Sequence, residues 1–307
     1  MRHLTHLNYI DVVAKEGSIR KAADKLAITS TALNRRILAL EEEIGSPLFE
    51  RLPSGVRLNT AGELFIQHLR YQIQDLSRVL SQIADLSGVR RGHVTLSISP
   101  EFSGQFLAAE IARYRQEHAG VSFDILTQTP EQSITALTRY ESDIALIYGA
   151  VVESEVTLSA TLPQLPVAQM APSHPLAGRT QLSLEDIFQY PVIMPKPETG
   201  LYAQIMMGCA RKSLDVPAMI VADNFAFFED YLIHEHAVGF NIPLTANNTA
   251  DRPVSATTTT IPLKSGECPQ SVAHIAYLKG RTLPVAGARF LDQLVTHIHH
   301  LFPDQTN

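Results

Sequence analysis

The sequence predicts an α/β protein in three parts: a winged helix-turn-helix, a long linker helix and a two-lobed α/β body. Three observations carry this. A polar turn, an apolar stripe and a basic hairpin follow one another between Ser18 and Arg57; apolar residues recur in heptad register from Leu69 to Ile83; strand and helix patterns alternate from His93 onward. The 307 residues suffice for a small domain and a larger body, each with its own core. The expected boundaries are 1–58 for the helix-turn-helix, 59–90 for the linker and 91–307 for the body, whose first lobe takes about 91–161 and 267–302 and whose second takes about 162–266.

Ser18 is an N-cap candidate for a short helix whose Ala22, Ala23 and Leu26 share one face, the small alanines letting a second helix cross closely. A turn at Ala27 and Ile28 follows. Thr29 then caps a longer helix in which Leu33, Ile37, Leu40 and Ile44 recur at spacings of 4, 3 and 4, a buried stripe that turns Ser30, Thr31, Asn34, Arg35 and Arg36 outward. Hydroxyls and an amide can read base edges in the major groove, and guanidinium groups can grip guanine or phosphate. Gly45 ends this helix. Leu48 and Phe49 read as a core strand, Pro53 to Gly55 as a hairpin tip, and Arg51 and Arg57 as cations on the flanks of a wing. Thr29, Ser30, Thr31, Asn34, Arg35, Arg36, Arg51 and Arg57 are therefore the expected contacts to double-stranded DNA. The alternative is a solvated helical hairpin with ordinary surface arginines.

With these residues in view, the sequence resembles the LysR-type transcriptional regulators. The resemblance is carried by Gly17-Ser18, Ala22-Ala23-x-x-Leu26, Ala32-Leu33-x-Arg35-x-Ile37, Leu40-Glu41-x-x-Ile44-Gly45-x-Pro47-Leu48-Phe49-x-Arg51 and Thr60-Ala61-Gly62. His174-Pro175-Leu176-Ala177 and Gly239-x-x-Ile242-Pro243 are similar to later family landmarks, so it covers nearly the whole chain. Ser30-Thr31 and Asn34 depart from the family's usual Gln-Pro and Ser at the start of the recognition helix, which leaves base preference open. The resemblance implies a sequence-specific transcriptional regulator bound to promoter DNA, with a periplasmic-binding-protein-like body whose cleft takes a small-molecule effector. It also implies a homodimer or homotetramer, a cytoplasmic location and RNA polymerase as a further candidate partner.

Thr60 and Glu63 suggest a capping box, after which Leu69, Ile73, Leu76, Leu80 and Ile83 repeat at 4, 3, 4 and 3 as a coiled-coil seam. The alternative is an amphipathic helix packed on its own domain. Gly88 and Gly92 would free the chain beyond.

In the body, VTLSIS, VSFDILTQT and DIALIYG read as strands separated by the helices GQFLAAEIARYRQEH and PEQSITALTRYES, a βαβαβ run with a parallel sheet. Ligands bind beyond the carboxyl ends of such strands, which nominates Ser99, Pro100, Phe102, Ser103, Thr127, Gln128, Thr129 and Tyr148, with Gly149 beside them. A second lobe contains PVIMP, a helix from Leu201 to Lys212, and MIVAD followed by Asn224 to His234. Across the cleft it would present Thr199, Gly200, Leu201, Asp223, Asn224 and Phe225. The chain returns through SVAHIAYL and a final helix from Ala286 to Phe302.

Residues 1–92 carry 13 Lys/Arg against 10 Asp/Glu and the remainder 12 against 21, so the net charge of −6 divides into a basic front and an acidic body. No apolar run approaches the roughly 20 residues of a membrane span. Cys209 and Cys268 are too few for a disulfide scaffold and 59 residues apart, which weighs against a thiol switch of the kind found in redox-sensing family members. His234 and His236 stand two apart on a helix, where a zinc site wants four. His297, His299 and His300 read as a solvated helix end. No nucleophile elbow, phosphate loop or metal spacing occurs, so neither an enzyme nor a cofactor is expected. An architectural DNA binder without effector and a thiol-responsive regulator remain as alternatives.

Overall fold

A computed structural model describes residues 2–86, 91–102, 105–151, 154–216, 218–242 and 257–301. Contacts divide the chain into two compact units, Met1–Ile83 and Ala84–Asn307.

The first unit opens with α1 (Arg2–Glu16), which the sequence reading leaves unassigned because its beginning is polar. Then come α2 (Ile19–Lys25) and α3 (Ser30–Ile44), joined through Ala27 at φ 53°, the left-handed turn a helix-turn-helix needs. Ser18 and Thr29 cap these helices as expected, accepting from Lys21 N and Ala32 N. The core gathers Ile10 and Val13 of α1, Ala22 and Ala23 of α2, Leu33 and Ile37 of α3, and Leu48. The buried stripe of α3 is shorter than its periodicity suggests. Leu40 is half-buried and Ile44 is 39 % exposed, because the core covers only the first half of the helix.

The wing is β1 (Phe49–Leu52) paired antiparallel with β2 (Gly55–Leu58) around Pro53 and Ser54. Glu41 fixes it to α3, its Oε1 accepting from Leu48 N at 2.7 Å and Phe49 N at 3.1 Å. On the other side Val56 N donates to Gly17 O at 2.9 Å. A Cβ on Gly55, whose φ is 147°, would collide with that same carbonyl. The motif residues thus weld the hairpin to the helices through backbone contacts that admit little variation.

Helix α4 (Thr60–Leu86) starts one residue from where the sequence suggests a cap. Asn59 is the N-cap: its Oδ1 accepts from Gly62 N at 2.8 Å while its Nδ2 donates to Pro47 O at 2.8 Å, so one amide starts the helix and holds the wing's base. Thr60, expected as the cap, is instead the first residue of the helix, and Glu63 N donates to Asn59 O at 2.9 Å. Gly62 is required because Leu48 O lies where its Cβ would be. Ile66 and Leu69 belong to the first unit's own core, so Leu69 is not part of an open seam; Ile73 packs beside it, Leu76 is half-buried, and Leu80 and Ile83 are exposed. Beneath Leu69 a buried pair, Arg70 Nε to Asp11 Oδ1 at 2.6 Å, ties α4 to α1. Lys15, one turn along α1, meets the other oxygen of the same carboxylate at 2.8 Å.

The second unit contains two lobes. Lobe I is a five-stranded sheet of order β4-β3-β5-β12-β6, made of β3 (Arg91–Ile98), β4 (Gly120–Thr127), β5 (Ile144–Tyr148), β6 (Val156–Gln164) and β12 (Ser271–Leu278). As expected β3 runs parallel to β4 and β5; β12 returns antiparallel to β5, and β6 pairs antiparallel with β12. Helices α5 (Gln105–Glu117), α6 (Pro130–Thr138) and α10 (Val285–Leu301) accompany it. Lobe II holds a sheet of β10 (Gly239–Asn241), β7 (Val167–Met170) and β11 (Thr259–Pro262), a parallel pair of β8 (Val192–Pro195) and β9 (Ala218–Ala222), and helices α7 (Leu184–Ile187), α8 (Gly200–Lys212) and α9 (Phe225–Leu232). Its short strands β7, β10 and β11 carry too little pattern to be read from sequence.

The crossings between lobes lie later than the sequence places them. Strand β6 stays in the lobe I sheet through Gln164, and Glu267 still bonds lobe II, accepting from Leu184 N at 2.8 Å. No described helix is long and apolar enough to cross a membrane.

Candidate functional site

On α3 the first turn is exposed at Ser30 and Thr31, and Arg35 is exposed one turn later. Leu38, 47 % exposed, completes this face. At 3.6 residues per turn Thr31, Arg35 and Leu38 fall within about 60° of one another, whereas Arg36 is rotated roughly 140° from Thr31. Its guanidinium lies 4.8 Å from the ring centre of Tyr9 on α1, so Arg36 is not on the Thr31–Arg35 face expected to read DNA. Leu38 was missed by the sequence reading; an apolar residue off the buried stripe is the signal that could have found it, and thymine methyls are what such a residue contacts.

The remaining polar groups are partly committed. Thr29 spends its hydroxyl oxygen on the helix cap. Asn34 is half-buried, and its Oδ1 accepts from Arg51 Nη2 at 2.8 Å, joining wing to helix. Arg57 sits 2.7 Å from Glu50 across the hairpin, an exposed pair of small energetic weight that a phosphate can displace.

In lobe I the parallel register aligns Ile98 with Thr127 and with Leu146, so the ends of β3, β4 and β5 stand side by side. Beyond them lies a cavity of about 500 Å³ facing lobe II. Its lobe I wall is Pro100, Thr127, Gln128 and Thr129, with Gln132 from α6; the opposite wall is Lys196, Glu198 and Thr199 beside Asp223, Asn224 and Phe225. Eight of the nominated residues are thus brought together: Pro100, Thr127, Gln128, Thr129, Thr199, Asp223, Asn224 and Phe225. Lys196, the nearest cation that the sequence offers to this site, joins the lining, while Gln132 and Glu198 were not expected there.

Two hydroxyls expected to serve a ligand are instead caps. Thr129 Oγ1 accepts from Gln132 N and donates to Glu131, and Thr199 Oγ1 accepts from Tyr202 N at 3.2 Å while donating to Lys196 O at 2.8 Å. Lys196 Nζ is 2.6 Å from Asp223 Oδ2. A chain of buried hydroxyls, Ser133 and Ser97, meets Gln128 Oε1 at 2.6 Å from Ser97 Oγ.

Ser99, Phe102, Tyr148, Gly200 and Leu201 do not line the cavity; they build the lobe junction. Ser103 lies outside the described residues. Phe102 and Leu201 are buried core, Ser99 Oγ accepts from Tyr148 N at 3.0 Å, and a Cβ on Gly200 would strike the Tyr148 carbonyl. Tyr148 ends a strand buried along its whole length, and its hydroxyl donates to Gln204 Oε1 at 2.5 Å. Burial pushes that phenol upward, so it stays a donor. Glu101, also missed, reaches from the turn at Pro100–Phe102 to the first N–H groups of α8, its Oε1 accepting from Leu201 N at 3.0 Å.

Cys209 and Cys268 prove to be spatial neighbours: Cys268 Sγ lies against Gly208, the residue before Cys209. Sequence separation was therefore no argument against a thiol pair. Burial is one, since it pushes Cys209 up and Cys268 to about 12, leaving both as thiols at neutral pH.

Burial raises the Glu101 carboxyl above its ordinary 4.5, and the N–H groups of Leu201 and Gly200 offset this only in part. The folded chain then holds the proton more tightly than the unfolded one. The carboxyl's contribution is fully present below about 4.5 and is lost as pH rises through the folded pKa. The Tm of the parent relative to Glu101→Gln should accordingly fall as pH is raised from 4.5. A constant difference in thermal melts up to pH ~8 would show that Glu101 titrates like an exposed glutamate.

Residues 4–63 match the model of the bacterial regulatory helix-turn-helix protein, lysR family, and residues 87–298 match that of the LysR substrate binding domain. The HTH-type transcriptional regulator BudR of Raoultella terrigena is 32% identical over 222 residues, 69% of this chain and 75% of that one. The uncharacterized HTH-type transcriptional regulator YbhD of Escherichia coli (strain K12) is 27% identical over 201 residues, 65% of this chain; the chain spans 63% of that relative's length. Among solved structures, a full-length OxyR variant from Pseudomonas aeruginosa matches with a TM-score of 0.67 at 15% identity, over 96% of this chain and 94% of that one. Full-length CbnR complexed with its target DNA matches with 0.63 at 15% identity, over 96% and 99%. Such distant structures speak for the fold, and the family models for descent. Matched in order by both, the chain belongs to the LysR family of transcriptional regulators, with an N-terminal helix-turn-helix domain followed by an effector-binding domain.

Proposed function

We propose that this regulator recognises a specific operator through α3 and the wing, and that a small molecule held between the lobes of its body controls the outcome. The observation that carries the first part is the exposed face of Thr31, Arg35 and Leu38, flanked by a wing that Asn34 and Arg51 tie to the same helix. Hydroxyl, guanidinium and methyl-bearing groups on one face suit direct reading of a major groove. The second part rests on the cavity at the strand ends: an architectural binder with no effector has no use for an open cleft of about 500 Å³. Lining groups from both lobes give a ligand a means of favouring one arrangement over another. The relatives' names describe transcriptional regulators, which favours a regulatory over a catalytic role for this chain.

Arg35→Ala should cost about 1–3 kcal/mol of operator affinity and relax sequence preference, while Arg57→Ala should weaken binding to all sequences alike and flatten its salt dependence. Gel-shift titrations at two salt concentrations read both, and an Arg35→Ala protein with parental operator affinity would remove α3's assigned face.

Assembly is inferred from the second half of the α4 seam. Leu80 is 41 % exposed at a heptad position beyond the first unit's core, which suits pairing with a second copy. Leu80→Asp should shift the solution mass toward monomer in light scattering; an unchanged mass would return α4 to a helix serving its own chain.

For the effector, Thr127→Trp should fill the cavity, abolish induction in a reporter assay and leave operator binding intact. Normal induction by that variant would place effector control elsewhere.

A further inference from the structure

An anion entering the cleft needs a free cation or free backbone N–H groups, and among the described residues the lysine of the lining and the leading N–H groups of α8 are already engaged. Lys196 is the cation of the lining and lies 2.6 Å from Asp223, while Glu198 adds a second carboxylate to the same wall. The N-terminus of α8 is the alternative seat, since the first turn of a 13-residue helix offers unpaired N–H groups and partial positive charge. Glu101 occupies it. The residue is 5 % exposed, its Oε1 accepts from Leu201 N at 3.0 Å, and its Oε2 is buried with no hydrogen-bond partner. The next N–H, that of Tyr202, is held by Thr199. At α6, Pro130 lacks an N–H, Gln132 N is capped by Thr129, and Glu131 brings a carboxylate into the first turn.

What the cleft still offers is uncharged. Thr129 N donates to Gln132 Oε1 at 3.0 Å, so what this cleft residue has left to give is the NH₂ of its amide. Ser97 likewise engages Oε1 of Gln128, another lining residue, whose remaining hydrogen-bonding group is also an NH₂ donor. Thr127 contributes a hydroxyl and Phe225 a ring. We propose that the Glu101 carboxyl is a built-in occupant of the N–H groups at the head of α8, directly behind Pro100 and Thr199 of the lining, and that the cleft, denied those donors, selects an uncharged polar molecule rich in hydrogen-bond acceptors over a carboxylate. The inference rests on the cleft being the effector site.

The test uses acetate as the probe, on the full chain, with sodium chloride at matched ionic strength as the reference. Thermal melts of Glu101→Ala should show a lowered Tm, at least half of which is regained saturably with acetate, because acetate refills the emptied seat and stabilises by mass action. The parent should show no acetate-specific shift. Should Glu101→Ala be recovered only as aggregate in chloride, soluble yield in acetate is read instead. Glu101→Gln, which keeps an amide in the seat, should fold and ignore acetate. A saturable acetate shift in the parent, an equal response in Glu101→Gln, or no acetate-specific recovery of Glu101→Ala in either Tm or yield overturns the proposal. None of these arms needs an effector, so failure of the cleft as effector site, read by normal induction in Thr127→Trp, is distinguishable from failure of the seat.

Discussion

The body of this protein depends on how α8 is anchored to lobe I. Gln204, buried in the middle of that helix, donates from Nε2 to Gln164 O at 3.2 Å and to Pro269 O at 2.8 Å, and accepts from the Tyr148 hydroxyl. The two carbonyls belong to the two segments that cross between lobes. One amide thus gathers both crossings and the end of the central strand β5. Burial makes the arrangement demanding, because a side chain that cannot satisfy all three partners leaves polar groups stranded at about 1–3 kcal/mol each. Gly149, Gly200 and Ser99 follow from it: the helix must approach the strand end closely enough that backbone meets backbone. Glu101 then fills the N–H groups that the approach buries.

The helix-turn-helix unit obeys the same logic at smaller scale. Glu41 and Asn59 each serve several backbone groups around the start of the wing, so the hairpin's position relative to α3 is fixed by main-chain hydrogen bonds and not by packing alone. Arg51 accordingly positions Asn34 before it meets any phosphate. A basic wing that is already tied to its recognition helix pays less ordering entropy on binding, which suits a unit whose net positive charge is small.

The cleft shows how capping chemistry competes with ligand chemistry. Threonine hydroxyls at strand–helix turns look like ligand contacts when only residue type is known. In the fold Thr129 and Thr199 are consumed by their own helices, and the side chains of Gln128 and Gln132 stand beside them in the lining. The same effect removes Lys196 as a free cation, through Asp223 from a neighbouring loop.

Local pattern determined a good deal by itself. The caps at Ser18 and Thr29, the turn at Ala27 and Ile28, the hairpin tip, the parallel β3, β4 and β5, and the strand ends at Thr127 to Thr129 are all written in short-range spacing, because helix and strand periodicity act over a few residues. Tertiary structure decided what those residues were free to do. It turned Arg36 toward Tyr9, drew Leu69 into the first unit's core, withdrew Tyr148 and Phe102 from the cleft, and brought Cys209 beside Cys268. Each outcome rests on a partner tens of residues away in sequence, and no local periodicity records which buried group will claim a given donor, acceptor or charge once the chain has closed on itself.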